Sequence, residues 1–154
     1  MRPTSGGASV FGADCHDAGL RVRSQIGYLP GELGFHGDMT GAATLDLLGK
    51  LTGRPIDTVW RQKVLDSLEL AASDLGRQIR DYSTGMKRKL GIVQALQSDA
   101  PLLILDEPTE GLDPLMQDAF YDLLANVRRR GRTVFMSSHV LPGSRAHLRI
   151  ASAC

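Results

Sequence analysis

Asp106 and Glu107 close the apolar run Leu102-Leu103-Ile104-Leu105. A short continuous run of this kind predicts a strand buried on both faces, as in a parallel sheet. In open α/β sheets, ligands bind beyond the carboxyl ends of the strands. A carboxylate at such an end can hold Mg²⁺ beside a phosphate, since Mg²⁺ takes one or two carboxylates plus phosphate oxygens. A second carboxylate, one residue on, can direct a water at phosphorus as general base. Asp106 is the expected metal ligand and Glu107 the expected base. Alone, an Asp-Glu pair ending a strand more often serves solubility, so its neighbours decide.

Three neighbours add weight. Ser137-Ser138-His139 follows a second apolar run, Thr133-Val134-Phe135-Met136, which brings His139 to the same expected sheet edge. Gly111-Leu112-Asp113-Pro114 reads as a turn and helix start, with Pro at the first helical position. Tyr82-Ser83-Thr84-Gly85-Met86 opens a helix expected over 84–97. There the Ser83 hydroxyl, the first backbone N–H groups at Thr84 and Gly85, and the positive end of the helix dipole make a ready anion site. An ordinary N-cap has the same residues. Lys87-Arg88-Lys89 reads by itself as a solvated face, and His16, His36 and His147 as surface residues.

The elements that must position these groups are legible as periodicities. Short strands are expected near 8–11 and 26–29, the latter ended by Pro30-Gly31. A loop over 31–40 leads to a helix near 40–51, with Leu45, Leu48 and Leu51 on one face. Ile56, Trp60, Val64 and Leu68 recur every four residues, an amphipathic helix with Asp57 in its first turn. Residues 73–81 read as a connector. Leu90, Val93 and Leu96, with Met86, form the inner stripe of the next helix. Met116, Phe120, Leu123, Leu124 and Val127 mark the helix after Pro114, which Gly131 stops. Strand, helix and strand between 102 and 136 form a βαβ unit, which winds right-handed.

Composition sets the outer limits. The chain has 154 residues, 42% hydrophobic and 23% charged, an ordinary globular mix. At roughly 150 residues per domain, one domain is expected. The net charge of +1 offers no strongly basic surface, so no nucleic-acid partner is expected from charge. The longest apolar stretch, over 100–105, falls far short of the roughly 20 residues that span a bilayer. No apolar signal core follows Met1, and Cys15 and Cys154 make neither a disulfide framework nor a zinc spacing. A reduced, cytoplasmic chain is the expectation.

Together the motifs resemble those of the nucleotide-binding subunit of ABC transporters. Tyr82-Ser83-Thr84-Gly85-Met86 resembles the family's signature motif, and residues 102–107 resemble Walker B plus the catalytic glutamate. Gly111-Leu112-Asp113-Pro114 is similar to the D-loop, His139 to the switch histidine, and Gly27-Tyr28-Leu29-Pro30 to the strand leading into the Q-loop. The order and spacing agree over about 2–141. The resemblance implies an α/β fold: a partial P-loop NTPase (ABC ATPase) core with a parallel sheet, plus a helical subdomain at about 40–97. Residues 1–141 are then a partial nucleotide-binding domain and 142–154 an irregular tail.

The resemblance also implies roles. Asp106 holds Mg²⁺ through water, Glu107 polarises the attacking water, and His139 contacts the γ-phosphate of ATP. Ser83, Thr84 and Gly85 face the ATP held by a second nucleotide-binding subunit, and Asp113 crosses that dimer interface. Separate transmembrane permease subunits would keep the protein at the inner face of the cell membrane. The sequence departs from the family in places. No G-x-x-x-x-G-K-[ST] phosphate loop occurs, and the one Gly-Lys, Gly49-Lys50, is followed by Leu51. The chain is therefore expected to begin downstream of that loop. The signature's usual glycine pair is Thr84-Gly85 and its Gln is Met86, a variant resembling drug- and antibiotic-type exporters. Gly31 stands where the Q-loop glutamine is usual, with Glu32 beside it as a substitute reaching for metal or water. Loss of the neighbouring strand would also leave the strand at 133–136 with an open edge.

Three other readings are kept: a non-catalytic chain that supplies only its signature half-site to a partner, a gene remnant without a stable fold, and an ATPase of DNA repair or chromosome maintenance. The last inserts long heptad coiled coils, and the sequence has none.

Overall fold

The computed structural model describes residues 6–137. Three parallel strands form its sheet, in the order β3-β4-β5: β3 (Ile26–Leu29), β4 (Leu102–Asp106) and β5 (Thr133–Ser137). The central strand β4 is the apolar run that ends in Asp106. Before β3 lie a two-stranded antiparallel ribbon, β1 (Ser9–Val10) with β2 (Ala13–Asp14), and the short helix α1 (Gly19–Arg23). The strand expected near 8–11 is thus half of a ribbon whose second strand and following helix are too short to show a period.

Between β3 and β4 run α2 (Gly41–Leu51), α3 (Thr58–Ser67), α4 (Ala72–Leu75), a 3₁₀ turn (Ile79–Asp81) and α5 (Thr84–Leu96). Capping sets their starts. The side chains of Thr40, Asp57 and Ser83 accept hydrogen bonds from the N–H groups of Ala43, Trp60 and Met86. Asp57 therefore caps α3 from outside instead of sitting in its first turn. The expected connector at 73–81 holds α4 and the 3₁₀ turn, and Tyr82 pins it by donating to the Asp74 carbonyl at 2.7 Å. Burial raises the Tyr82 phenol above its ordinary value, helped by the nearby Asp74 charge. Helix α6 (Pro114–Arg129) connects β4 to β5 and buries the stripe Met116, Phe120, Leu123, Leu124 and Val127.

Register explains which sheet face is covered. Leu103 pairs with Gly27 and Val134, and Leu105 with Leu29 and Met136. These leucines, Val134 and Met136 share one core with Leu90 and Val93 of α5 and Phe120 and Leu123 of α6. The opposite face carries the row Tyr28, Ile104, Phe135. Tyr28 is 51% exposed, and Ile104 and Phe135 are half-buried. Among the described residues β5 pairs on one side only, so the expected open edge is present there.

A charged clamp joins α3 to this core. Asp99, in the turn after α5, accepts hydrogen bonds from Arg130 and Arg132. Arg130 also reaches Asp57 at 3.3 Å and lies 4.7 Å from the Trp60 ring centroid, a cation–π contact. Partial burial works to raise the Asp99 carboxyl. The hydrogen bonds from Arg132 and Arg130 outweigh it and hold Asp99 below the usual carboxylate range. A depressed carboxylate contributes stability that is fully present above its unfolded value near 4 and is lost as pH falls through its lower folded value. Asp99→Asn is expected to cost about 1–3 kcal/mol at neutral pH. It should also flatten the fall in denaturant midpoint below about pH 4. A parallel fall in both proteins would remove Asp99 from this account.

Candidate functional site

The carboxyl edge of the sheet is where the chemistry-bearing residues gather. Asp106 is the last residue of β4 and pairs in register with Ser137, the last residue of β5. The Ser137 hydroxyl donates to Asp106 Oδ1, and the Glu107 N–H donates to Ser137 Oγ at 3.2 Å. One hydroxyl thus ties the ends of two neighbouring strands and orients one oxygen of Asp106. Ser137 went unrecognised as a site residue in the sequence. Its signal was a hydroxyl in register with Asp106 on the adjoining parallel strand.

The other oxygen of Asp106 faces Gly31. A Cβ on Gly31 would lie 3.0 Å from Asp106 Oδ2, so the missing side chain leaves that oxygen open. An exposed carboxylate with one oxygen held by a neutral hydroxyl and the other open suits a hydrated divalent cation. Among the described residues no three His, Cys, Asp or Glu side chains cluster to hold a metal by themselves.

Glu107 follows with φ +45°, left-handed backbone that a glutamate rarely adopts. Strain of this kind concentrates at functional sites, where the surroundings over-determine it. The turn continues with Glu110 N–H donating to the Glu107 carbonyl and Leu112 N–H to the Thr109 carbonyl. It ends at Asp113, whose Oδ1 accepts from Met116 N–H and caps α6. Asp113 is exposed, as is Glu32, which follows Gly31 on the loop. Ser138 and His139 lie outside the described residues, as does the tail expected over 142–154.

The tip of α5 is the second part. Ser83 Oγ satisfies the Met86 N–H, while Ser83 and Thr84 are exposed beside the first N–H groups of the helix. A Cβ on Gly85 would meet the Gly111 carbonyl at 3.2 Å, and one on Gly111 would meet Thr84 Cγ2 at 3.5 Å. The α5 tip and the turn leading to Asp113 therefore touch. Lys87-Arg88-Lys89 is not the solvated face its sequence suggests. Arg88 is buried, 6% exposed. Its guanidinium donates to the carbonyls of Pro30, Gly31 and Glu110 and to the Glu110 carboxylate.

Comparison with known proteins decides the family. The family model described as "AAA domain, putative AbiEii toxin, Type IV TA system" matches residues 32–141. The bacitracin transport ATP-binding protein BcrA of Enterococcus faecalis is 35% identical over 142 residues, 90% of this chain and 45% of that protein. The chain belongs to this AAA-domain family, and the curated relatives it matches are ABC transporter ATP-binding proteins. A solved ATP-binding subunit of an ABC transporter matches this ABC-type chain with a TM-score of 0.82 and 28% identity, over 92% of this chain and 59% of its own. A solved dimeric bacterial ABC transporter cassette, at 20% identity, shares the fold with a TM-score of 0.80 over 91% of this chain and 65% of its own. The ABC-type α/β fold is thereby shown. The chain spans about half the length of the curated relatives it matches.

Proposed function

We propose that this chain is the ATP-binding subunit of an ABC transporter of the export type, working as one of two nucleotide-binding subunits. The observation that carries the reading is the strand-end carboxylate Asp106, held by Ser137 and left open toward Gly31, followed by Glu107 on a strained turn. Bound there, Mg²⁺ would supply charge neutralisation for the phosphates of ATP. In this reading Asp106 would hold the metal through water, with Glu32 a further candidate beside Gly31 on the same loop. Glu107 accepts the proton of the attacking water, and His139 contacts the γ-phosphate. Without the metal, Asp106 and Glu107 would repel a triphosphate.

The helical subdomain at about 40–97 is assigned to carry the α5 tip. Ser83, Thr84 and Gly85 offer a hydroxyl and helix-terminal N–H groups to ATP on a second subunit, and Asp113 lies at that junction. The bacitracin relative supports a transport role, a 29% identical relative described as a Nod factor export ATP-binding protein supports the export direction, and the dimeric cassette supports pairing. Among the described residues no helix is long and apolar enough to cross a membrane. Attachment at the cytoplasmic face through a separate permease completes the proposal, with residues 1–141 as the cassette portion and 142–154 as the tail.

The exposed, capped α5 tip favours one further reading, in which the chain serves a complete partner as a signature half-site only. The 154 residues contain no lysine-bearing phosphate loop. The purified chain is therefore expected to hydrolyse ATP at background rate and to change the ATPase rate of a complete related cassette mixed with it. Robust turnover by the chain alone that disappears in Glu107→Gln would overturn the first expectation. An unchanged rate in the mixture would refute the second.

A further inference from the structure

We propose that Arg88 is a positioning residue that couples the α5 tip to the loops flanking Asp106 and Glu107, with Glu110 as its charged partner. The proposal rests on the reading that the tip and the carboxylates serve one reaction, and it adds the part that links them. Arg88 lies on α5, two residues after Met86, so any tilt or shift of the tip moves its stem. Its guanidinium ends in three places at once. Nη1 donates to the Pro30 carbonyl at 3.2 Å and Nη2 to the Gly31 carbonyl at 2.8 Å. Nε donates to the Glu110 carbonyl at 3.2 Å, and Nη2 meets Glu110 Oε2 at 2.9 Å.

Each end matters for the carboxylates. Gly31 is the residue whose bare Cα borders Asp106 Oδ2. Glu110 closes the turn that begins at Glu107, through its own N–H to the Glu107 carbonyl. A planar fork with fixed donor directions therefore sets both walls of the rim from a single point on α5. The pairing is asymmetric. The Arg88 side chain is 7% exposed and Glu110 69% exposed, so the cation is committed to the interior while its partner stays open to solvent. A buried guanidinium is costly unless every donor is met. Here two segments distant in sequence are needed to meet them, so neither can drift without leaving donors unpaired.

Backbone amide NMR on the full chain tests this without nucleotide. Ser83→Ala removes the α5 cap and serves as the disturbance. In the otherwise natural chain its shift changes should reach the amides of Gly31, Glu32 and Glu110. In Arg88→Lys, whose single ammonium cannot span both loops, the same disturbance should stop within α5. Hydrogen exchange at the Glu110 and Leu112 amides should rise about tenfold, while β4 and α6 amides keep their protection. Glu110→Gln retains the backbone contacts and loses only the charged one, so it should weaken transmission to residue 110 while keeping it to Gly31. It supplies this evidence even where an Arg88 variant folds poorly. Transmission that persists unchanged in both variants, or that never reaches Gly31 in the natural chain, overturns the proposal. Failure of the ATP reading alone would leave these shifts in place and appear only in the ATPase assays.

Discussion

Gly27→Val is expected to abolish cooperative folding. A Cβ on Gly27 would stand 2.1 Å from the Ala95 carbonyl oxygen and 2.6 Å from Leu103 Cδ2. The first of these is helix backbone, which cannot rotate away as a side chain can. To make room, β3 must leave α5, and Leu29, Leu103 and Leu105 lose the helix that covers them. Overpacking a core typically costs about 1–3 kcal/mol, and a clash with backbone exceeds that range. A domain with only about 5–15 kcal/mol in reserve, already carrying a half-covered sheet, has little margin. The expected reading is a thermal melt by circular dichroism without a sigmoidal transition. Gly34→Ala, where a Cβ meets nothing within 4 Å, is the matched control and should melt like the parent. A Gly27→Val protein that melts cooperatively near the parent would refute this packing.

Ser83→Asp should remove the chain's effect on a complete partner cassette while leaving its own fold intact. Asp caps a helix about as well as Ser, so stability should change by less than about 0.5 kcal/mol. The added negative charge, however, opposes a phosphate at the α5 tip. A loss of about 1.4 kcal/mol of binding is already tenfold in rate at limiting ATP. Glu107→Gln should leave the mixed rate unchanged if the partner grips the ATP with its own phosphate loop and base. A fall of about 100- to 10,000-fold in Glu107→Gln would mean instead that Glu107 acts as a general base in the mixture. The two substitutions, assayed side by side as phosphate release, separate a donated half-site from a working catalytic rim.

The parts of this molecule that repeat were readable from residue order. The stripe from Met116 to Val127, the cap at Ser83 and the run ending in Asp106 each follow from a period or a local bond. Asp57 was placed one position too deep because an N-cap and a first-turn carboxylate carry the same residue type. Helix α4 and the 3₁₀ turn are too short for a periodic signal. Arg88 was misread because a guanidinium surrounded by Lys87 and Lys89 has the pattern of a solvated face. Only the fold brings Pro30, Gly31 and Glu110 to it, from as far as 58 residues away in sequence. Ser137 was hidden for the same reason, since strand register is a property of pairing and not of one strand.

The row Tyr28, Ile104, Phe135 carries a consequence for the chain in the cell. Two strand spacings make it a greasy strip roughly 10 Å across, flanked by the edge of β5 that stays unpaired among the described residues. Fluorescent dyes such as ANS light up on surfaces like this, and chaperones hold on to them. Over residues 6–137 the strip should therefore bind ANS until further polypeptide lies across it.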